Sequence, residues 1–253
     1  ASGSLTVCYL PFDACTMKPY QKVPIEECGE ALLSIPLDQF SVVSPHPYEA
    51  LGAPYGNRSP YFLREGVLCK LLEAQSALQK HCPGWQLQIF DAYRPIPVQQ
   101  FMVDYTFAQL AKKEGIAVET ISDEVRSRLH AEVIKFWAVP SANPSTPPPH
   151  STGAAIDLTL VDDKDDPVDM GSAIDEISPR SYPKHFENSS EPAAQKAHHH
   201  RSLLARVMVS VGFCQHPNEW WHFSLGDQLW AWQMGEGAIS PGQVTAIARY
   251  GGA

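Results

Sequence analysis

The sequence predicts an α+β fold: a central antiparallel sheet flanked by helices, with long ordered loops. Three observations predict it. Helix-spaced apolar segments fill the middle of the chain, strand-like segments are dispersed among them without regular βαβ alternation, and 22 prolines punctuate the connections. The 253 residues, 44% of them apolar, are enough to bury most of the unfolded surface in a core.

Residues 1–57 are Pro- and Gly-punctuated and are expected to form a loop-rich wrap with an edge strand at "SVVS", part of the same domain as the remainder, 58–253. Residues 61–81 carry Leu63, Val67, Leu68, Leu71, Leu72 and Leu78 at helical spacing, ended by Pro83 and Gly84. "WQLQIFDAY" alternates like a half-buried strand and stops at Arg94-Pro95. Helices follow over 97–113 and 122–137, the second opening on the cap signal Ser122-Asp123-Glu124. A Pro-rich loop over 140–149 leads to a strand at "AAIDLTLV", an acidic turn "DDKDDPVD" and an irregular segment to about Glu191. A helix is expected over 193–211, with Leu203, Leu204, Val207, Met208 and Val211 on one side. The stretch "EWWHFSLGDQLWAW" (219–232) is rich in strand formers and is expected to close the sheet.

A net charge of −9 argues against a nucleic-acid partner, which needs clustered Lys and Arg, and tolerates a small zwitterionic substrate. No apolar run approaches the ~20 residues of a membrane span, and no signal-peptide pattern opens the sequence. The six cysteines show no Cys-x-x-Cys pair. Reduced, buried thiols and a cytoplasmic location are the expectation; a disulfide in the first third and a periplasmic location are the alternative.

The chemistry starts at "STPPPHSTGAAIDLTLVDD" (145–163), where His150 follows three prolines and Asp157 interrupts an apolar strand. A catalytic zinc takes three protein ligands and keeps one position for water. His150 and Asp157 can supply two, and "NEWWHF" offers His222 as the third with Glu219 as general base for the metal-activated water. In a regular strand positions 150 and 157 face opposite sides, as do 219 and 222. His150 is therefore expected on the loop side of Gly153, and Glu219 before the final strand or at a bulge. In "FDAYRP", Arg94 ends a strand where Pro95 stops the ladder, a place from which a guanidinium can stabilise an oxyanion.

Taken together, "PHSTGAAIDLTL", "PVDMGSAID", "LLARVMVSVGF", "NEWWHFSLGDQLWAW" and "FDAYRP" resemble the D-alanyl-D-alanine dipeptidases, a family of zinc peptidases, over about Tyr61 to Trp232. The resemblance implies one Zn2+ on His150, Asp157 and His222, Glu219 as base, Arg94 on the oxyanion, and Asp175 in "MGSAID" holding the substrate's amino group. It implies hydrolysis of free D-Ala-D-Ala to two D-alanines. Pro148 departs from a serine common in the family two residues before the first histidine ligand. The alternatives are a D,D-carboxypeptidase or peptidoglycan endopeptidase on the same scaffold, or a non-catalytic zinc-bearing binding module. The latter has no need of Glu219 or Arg94.

The remaining histidines have blander expectations. Consecutive helical residues point about 100° apart, so His198, His199 and His200 do not converge on one ion. His46, His81 and His185 are expected as loop or cap residues, and His216 as a possible cleft residue.

Overall fold

The structure, a computed structural model, describes residues 18–236 and 246–253. Its strands are β1 (Leu32–Ser34), β2 (Ser41–Val42), β3 (Phe62–Arg64), β4 (Gln86–Asp91), β5 (Ala155–Val161), β6 (Cys214–Gln215) and β7 (His222–Ser224). Its helices are α1 (Pro47–Ala50), α2 (Glu65–His81), α3 (Ile96–Lys113), α4 (Asp123–Phe136), α5 (Pro192–Ser210) and α6 (Gln228–Glu236). The fold is α+β. The main sheet runs β2-β4-β5-β7-β6, and β1 pairs separately with β3. All main-sheet pairings are antiparallel except β2–β4, so the short edge strand makes the sheet mixed.

The two faces of the sheet have different chemistry. Leu87 and Ile89 on β4 lie opposite Leu160 and Leu158 on β5, and Ile156 lies opposite Phe223 on β7. These side chains form one face and pack with Val67, Leu71 and Leu78 of α2 and Leu204 and Met208 of α5. Burying each such Leu contributes roughly 1.5–3 kcal/mol. Asp157 and His222 project from the other face. Between Ile89 and Asp91 the register shifts, so Asp91 lies opposite Asp157 rather than continuing the apolar row of Leu87 and Ile89. This bulge re-aims a carboxylate from the core toward the polar face. A second apolar cluster joins α3 and α4 to Tyr48, Tyr55 and Trp137.

Two elements depart from the sequence expectation. The β1–β3 pair takes residues 62–64 into a strand, and α2 starts only at Glu65. The ladder expected over 219–232 lasts only for His222–Ser224. Gly226 then takes φ +87°, and Asp227 Oδ1 accepts the Trp230 backbone N–H at 2.8 Å, starting α6. A local cap outcompetes the strand preference of the aromatic residues beyond it. Among the described cysteines, Cys28, Cys69, Cys82 and Cys214 are free thiols; Cys8 and Cys15 lie outside the described residues. No helix among the described residues is long and apolar enough to cross a membrane.

Candidate metal centre and active site

Strand pairing places two of the three candidate ligands. Asp157 and His222 are register partners across β5 and β7, and directly opposite residues put their side chains on the same face. His150 arrives from a single 3-10 turn, Pro149–Thr152, which ends at Gly153 with φ +71°. Glu219 lies before β7, directly after a turn at 217–218 and before the bend at 220–221. The ligand atoms of His150, Asp157 and His222 all lie within 4.8 Å of one another, and all three residues are buried.

The partners behind the rings dictate what faces inward. His150 Nδ1 donates to the Ala92 carbonyl at 2.7 Å, leaving Nε2 as a lone pair. Ser224 Oγ donates to Asp227 Oδ2 at 2.8 Å and so accepts from His222 Nε2 at 3.2 Å, leaving Nδ1 as a lone pair. These two unprotonated nitrogens are 3.2 Å apart. Asp157 Oδ2 lies 3.2 Å from His150 Nε2, and Oδ1 lies 3.1 Å from His222 Nδ1. That second approach lacks hydrogen-bond geometry, so Asp157 Oδ1 is a buried oxygen without a hydrogen-bond partner among the described residues. Three converging acceptors with their protons directed outward fit a cation. Two imidazoles and one carboxylate match a catalytic zinc site with an open fourth position.

A second layer holds the first. Arg94 donates to Asp91 Oδ2 from Nε and Nη2 at 2.9 and 2.7 Å, to Gln99 Oε1 from Nη1 at 2.9 Å, and to Asp157 Oδ2 from Nη2 at 3.2 Å. Its guanidinium carbon sits 5.0 Å from the ring centres of both Tyr48 and Trp137. Asp91 also accepts from His46 Nε2 and Tyr55 Oη through its other oxygen. Burial opposes the charge of Asp91, but Arg94 and His46 outweigh it and hold the carboxyl below its usual range.

A narrow pocket opens beside the cluster. Its walls include Lys18, Arg94, Trp137, Asp175, His216 and Glu219. Glu219 lies 3.7 Å from His222 Nδ1 and 3.6 Å from His216 Nδ1. Burial first, then the charge of Asp157, raises its pKa well above the ordinary glutamate value, while Lys18 opposes the rise. Asp175, half-buried with φ +64°, accepts from Tyr48 Oη at 2.8 Å. Burial and the Asp157 charge push its pKa up to about 7.

The family profile for D-Ala-D-Ala dipeptidases matches residues 41–239. The chain belongs to this family of peptidases. It is 49% identical over 224 residues to a D-alanyl-D-alanine dipeptidase of Synechocystis sp., covering 86% of this chain and 90% of that one. A D-alanyl-D-alanine dipeptidase of Enterococcus faecalis is 30% identical over 166 residues, covering 65% of this chain and 73% of its own length. A solved structure of a zinc-bound vancomycin-resistance D,D-pentapeptidase aligns with a TM-score of 0.41 at 15% identity, over 65% of this chain and 72% of that one.

For this dipeptidase-family chain, the six residues singled out from the sequence all meet at one place. His150, Asp157 and His222 form the cluster, and Arg94, Asp175 and Glu219 line the pocket beside it. Further contributors were not singled out, Asp91 and Gln99 among them as partners of Arg94. Lys18 and Trp137 line the pocket, Tyr48 bonds Asp175, and His46 is a buried partner of Asp91 rather than a loop or cap residue alone. His46 does also cap α1, accepting the Glu49 N–H. His198, His199 and His200 lie along α5 and form no metal-type cluster among the described residues.

Proposed function

We propose that this chain hydrolyses the free dipeptide D-Ala-D-Ala to two D-alanines, with one zinc ion held by His150, Asp157 and His222. The observation that carries the reading is the set of three inward-facing acceptor atoms with the Glu219 carboxyl beside it. A zinc ion bound there would polarise the peptide carbonyl and bring the pKa of water from ~15.7 toward ~7.

Glu219 takes the proton of the attacking water and returns it to the departing amine. A buried carboxyl with a raised pKa suits both halves of that task near neutral pH. Arg94 faces the oxyanion that develops on the carbonyl oxygen. Its partners Asp91, Gln99 and Asp157 fix the guanidinium plane and leave one Nη1 hydrogen without an acceptor among the described residues. A donor fixed before the reaction needs no reorganisation when charge appears.

Asp175, oriented by Tyr48 Oη, pairs with the free ammonium of the substrate. A blocked or extended N-terminus leaves that carboxylate without its partner, which selects a dipeptide over a longer chain. The narrowness of the pocket and the names of the relatives support the same substrate size.

Release of D-alanine from D-Ala-D-Ala, beside a pentapeptide ending in the same two residues, tests the reading. The dipeptide should be strongly preferred, and Glu219→Gln should lower kcat about 100-fold or more while the bound metal is retained. Preference for the pentapeptide would remove the dipeptidase assignment. Unchanged turnover in Glu219→Gln would remove the mechanism.

A further inference from the structure

The pocket beside the candidate metal cluster has an unbalanced wall. Among the described residues, Asp157, Asp175 and Glu219 contribute three carboxyls to it, while Arg94 and Lys18 are its only Lys or Arg side chains. Arg94 is already engaged by Asp91, Gln99 and Asp157. Among the described residues, Lys18 Nζ donates to a single protein acceptor, the Trp137 carbonyl, at 3.4 Å. An ammonium carries three donors, so two remain for a ligand.

Lys18 is also held in place. Its backbone N–H donates to Gln21 Oε1 at 2.8 Å, and its carbonyl accepts the Gln21 N–H at 3.0 Å. The buried Tyr20 ring anchors the same turn, and Gln228 Nε2 on α6 donates to the Gln21 and Val23 carbonyls at 3.2 and 2.7 Å. The ammonium is close enough to Glu219 and His216 for its charge to act on both.

A free dipeptide brings two charges into this pocket. Asp175 accounts for the ammonium. The carboxylate enters a wall lined with carboxyl groups and needs a cation with donors to give. We infer that Lys18 is the specificity-determining counter-charge for the substrate's free C-terminal carboxylate. The inference rests on the dipeptide reading above and deepens it: the chain measures its substrate from both ends, with a carboxylate for the amine and an ammonium for the acid. A substrate continued or capped beyond the second residue loses that ion pair.

The test crosses two ligands with three proteins. D-Ala-D-Ala and its C-terminal amide are compared on the zinc-loaded wild type, Lys18→Ala and Lys18→Arg, by steady-state kinetics. Binding of both ligands is measured by calorimetry in a Glu219→Gln background, where turnover does not interfere. Lys18→Ala should raise KM and Kd for the free acid about tenfold or more, with kcat changed far less, and leave the amide within about twofold. Lys18→Arg should recover most of the acid's affinity. Equal losses for acid and amide would show that Lys18 acts only through Glu219 and overturn the inference, as would no loss at all. A wild type that cleaves the dipeptide without preferring acid over amide also overturns it, leaving hydrolysis intact. Acid-selective binding without cleavage would sink hydrolysis and leave Lys18 assigned. Failure of the wild type to bind the dipeptide overturns both.

Discussion

Arg94 donates twice to one oxygen of Asp91, from Nε at 2.9 Å and Nη2 at 2.7 Å, while the other oxygen of Asp91 accepts from His46 and Tyr55. Asp91 is fully buried and Arg94 nearly so. Removing one partner of such a pair leaves an uncompensated charge in low dielectric, at about 3–5 kcal/mol. Asp91→Ala should therefore cost about that much in urea unfolding. It should also lower kcat/KM, because the guanidinium loses the anchor that fixes its plane. Asp91→Asn, which keeps the shape but not the charge, should fall between wild type and Asp91→Ala in both measurements.

Metal removal should act on stability as well as turnover. Without a cation, His150 Nε2 and His222 Nδ1 face each other as lone pairs at 3.2 Å, beside an Asp157 oxygen that has no hydrogen-bond partner among the described residues. A ligand that binds only the folded state stabilises it, by about 2.7 kcal/mol at a hundredfold excess over its Kd. Chelation of the zinc-loaded wild type should lower Tm, and zinc should restore it. His222→Ala should retain little metal by elemental analysis, and its Tm should not respond to the chelator. A wild-type Tm indifferent to chelation would contradict the three-ligand site.

Much of this site was legible in the sequence because its chemistry is carried by unusual residues in unusual places. Asp157 interrupts an apolar strand, His150 follows a proline run, and Glu219 and His222 flank a Trp pair. What was not legible depends on contacts between distant segments. Lys18, His46 and Tyr48 come from the region expected as a loop-rich wrap, and no local spacing relates them to residues 91–222. Asp91 is hidden for another reason. Regular alternation assigns it to the core face with Leu87 and Ile89, and only the bulge after Ile89 turns it to the polar side. The α6 segment misled because four Trp residues within 220–232 favour a strand, whereas Gly226 and Asp227 build a helix start.

Asp175 should show a conflict between stability and function. With the pKa in the metal-free folded chain at about 7 and the ordinary value at 3.8, the folded state binds the proton more tightly than the unfolded state. Its contribution to stability is then fully present below about pH 4 and lost as pH rises through about 7. Asp175→Asn keeps an acceptor for Tyr48 Oη, removes the charge, and tolerates φ +64°. In metal-free protein it should be more stable than wild type at pH 8 by about 1–2 kcal/mol, allowing for solvent screening at the pocket wall. The gain should vanish by pH 4. In zinc-loaded protein the same variant should lose kcat/KM for the dipeptide. A pH-independent difference in denaturant midpoints would refute this account of Asp175.

The left-handed turn at Gly153 joins the His150 loop to β5, and its geometry predicts the effect of a single methyl. Gly153 has φ +71°, its N–H donates to the His150 carbonyl at 3.3 Å, and its carbonyl accepts the Arg64 N–H at 2.8 Å. A Cβ at this position would collide with Leu32 Cδ2. Alanine in the left-handed region costs roughly 1–2 kcal/mol from the backbone alone, and the contact with Leu32 adds to it. The strain should be shared with the His150 turn, so Gly153→Ala should weaken zinc affinity as well as lower the unfolding midpoint. Shortening Leu32 separates the two causes. Gly153→Ala combined with Leu32→Ala should be less destabilised than the sum of the single variants, because the methyl then has room. The backbone cost should remain in the double variant, and with it the weakened zinc affinity. Additive losses would mean that Leu32 already moves aside and that the left-handed backbone alone makes glycine necessary here.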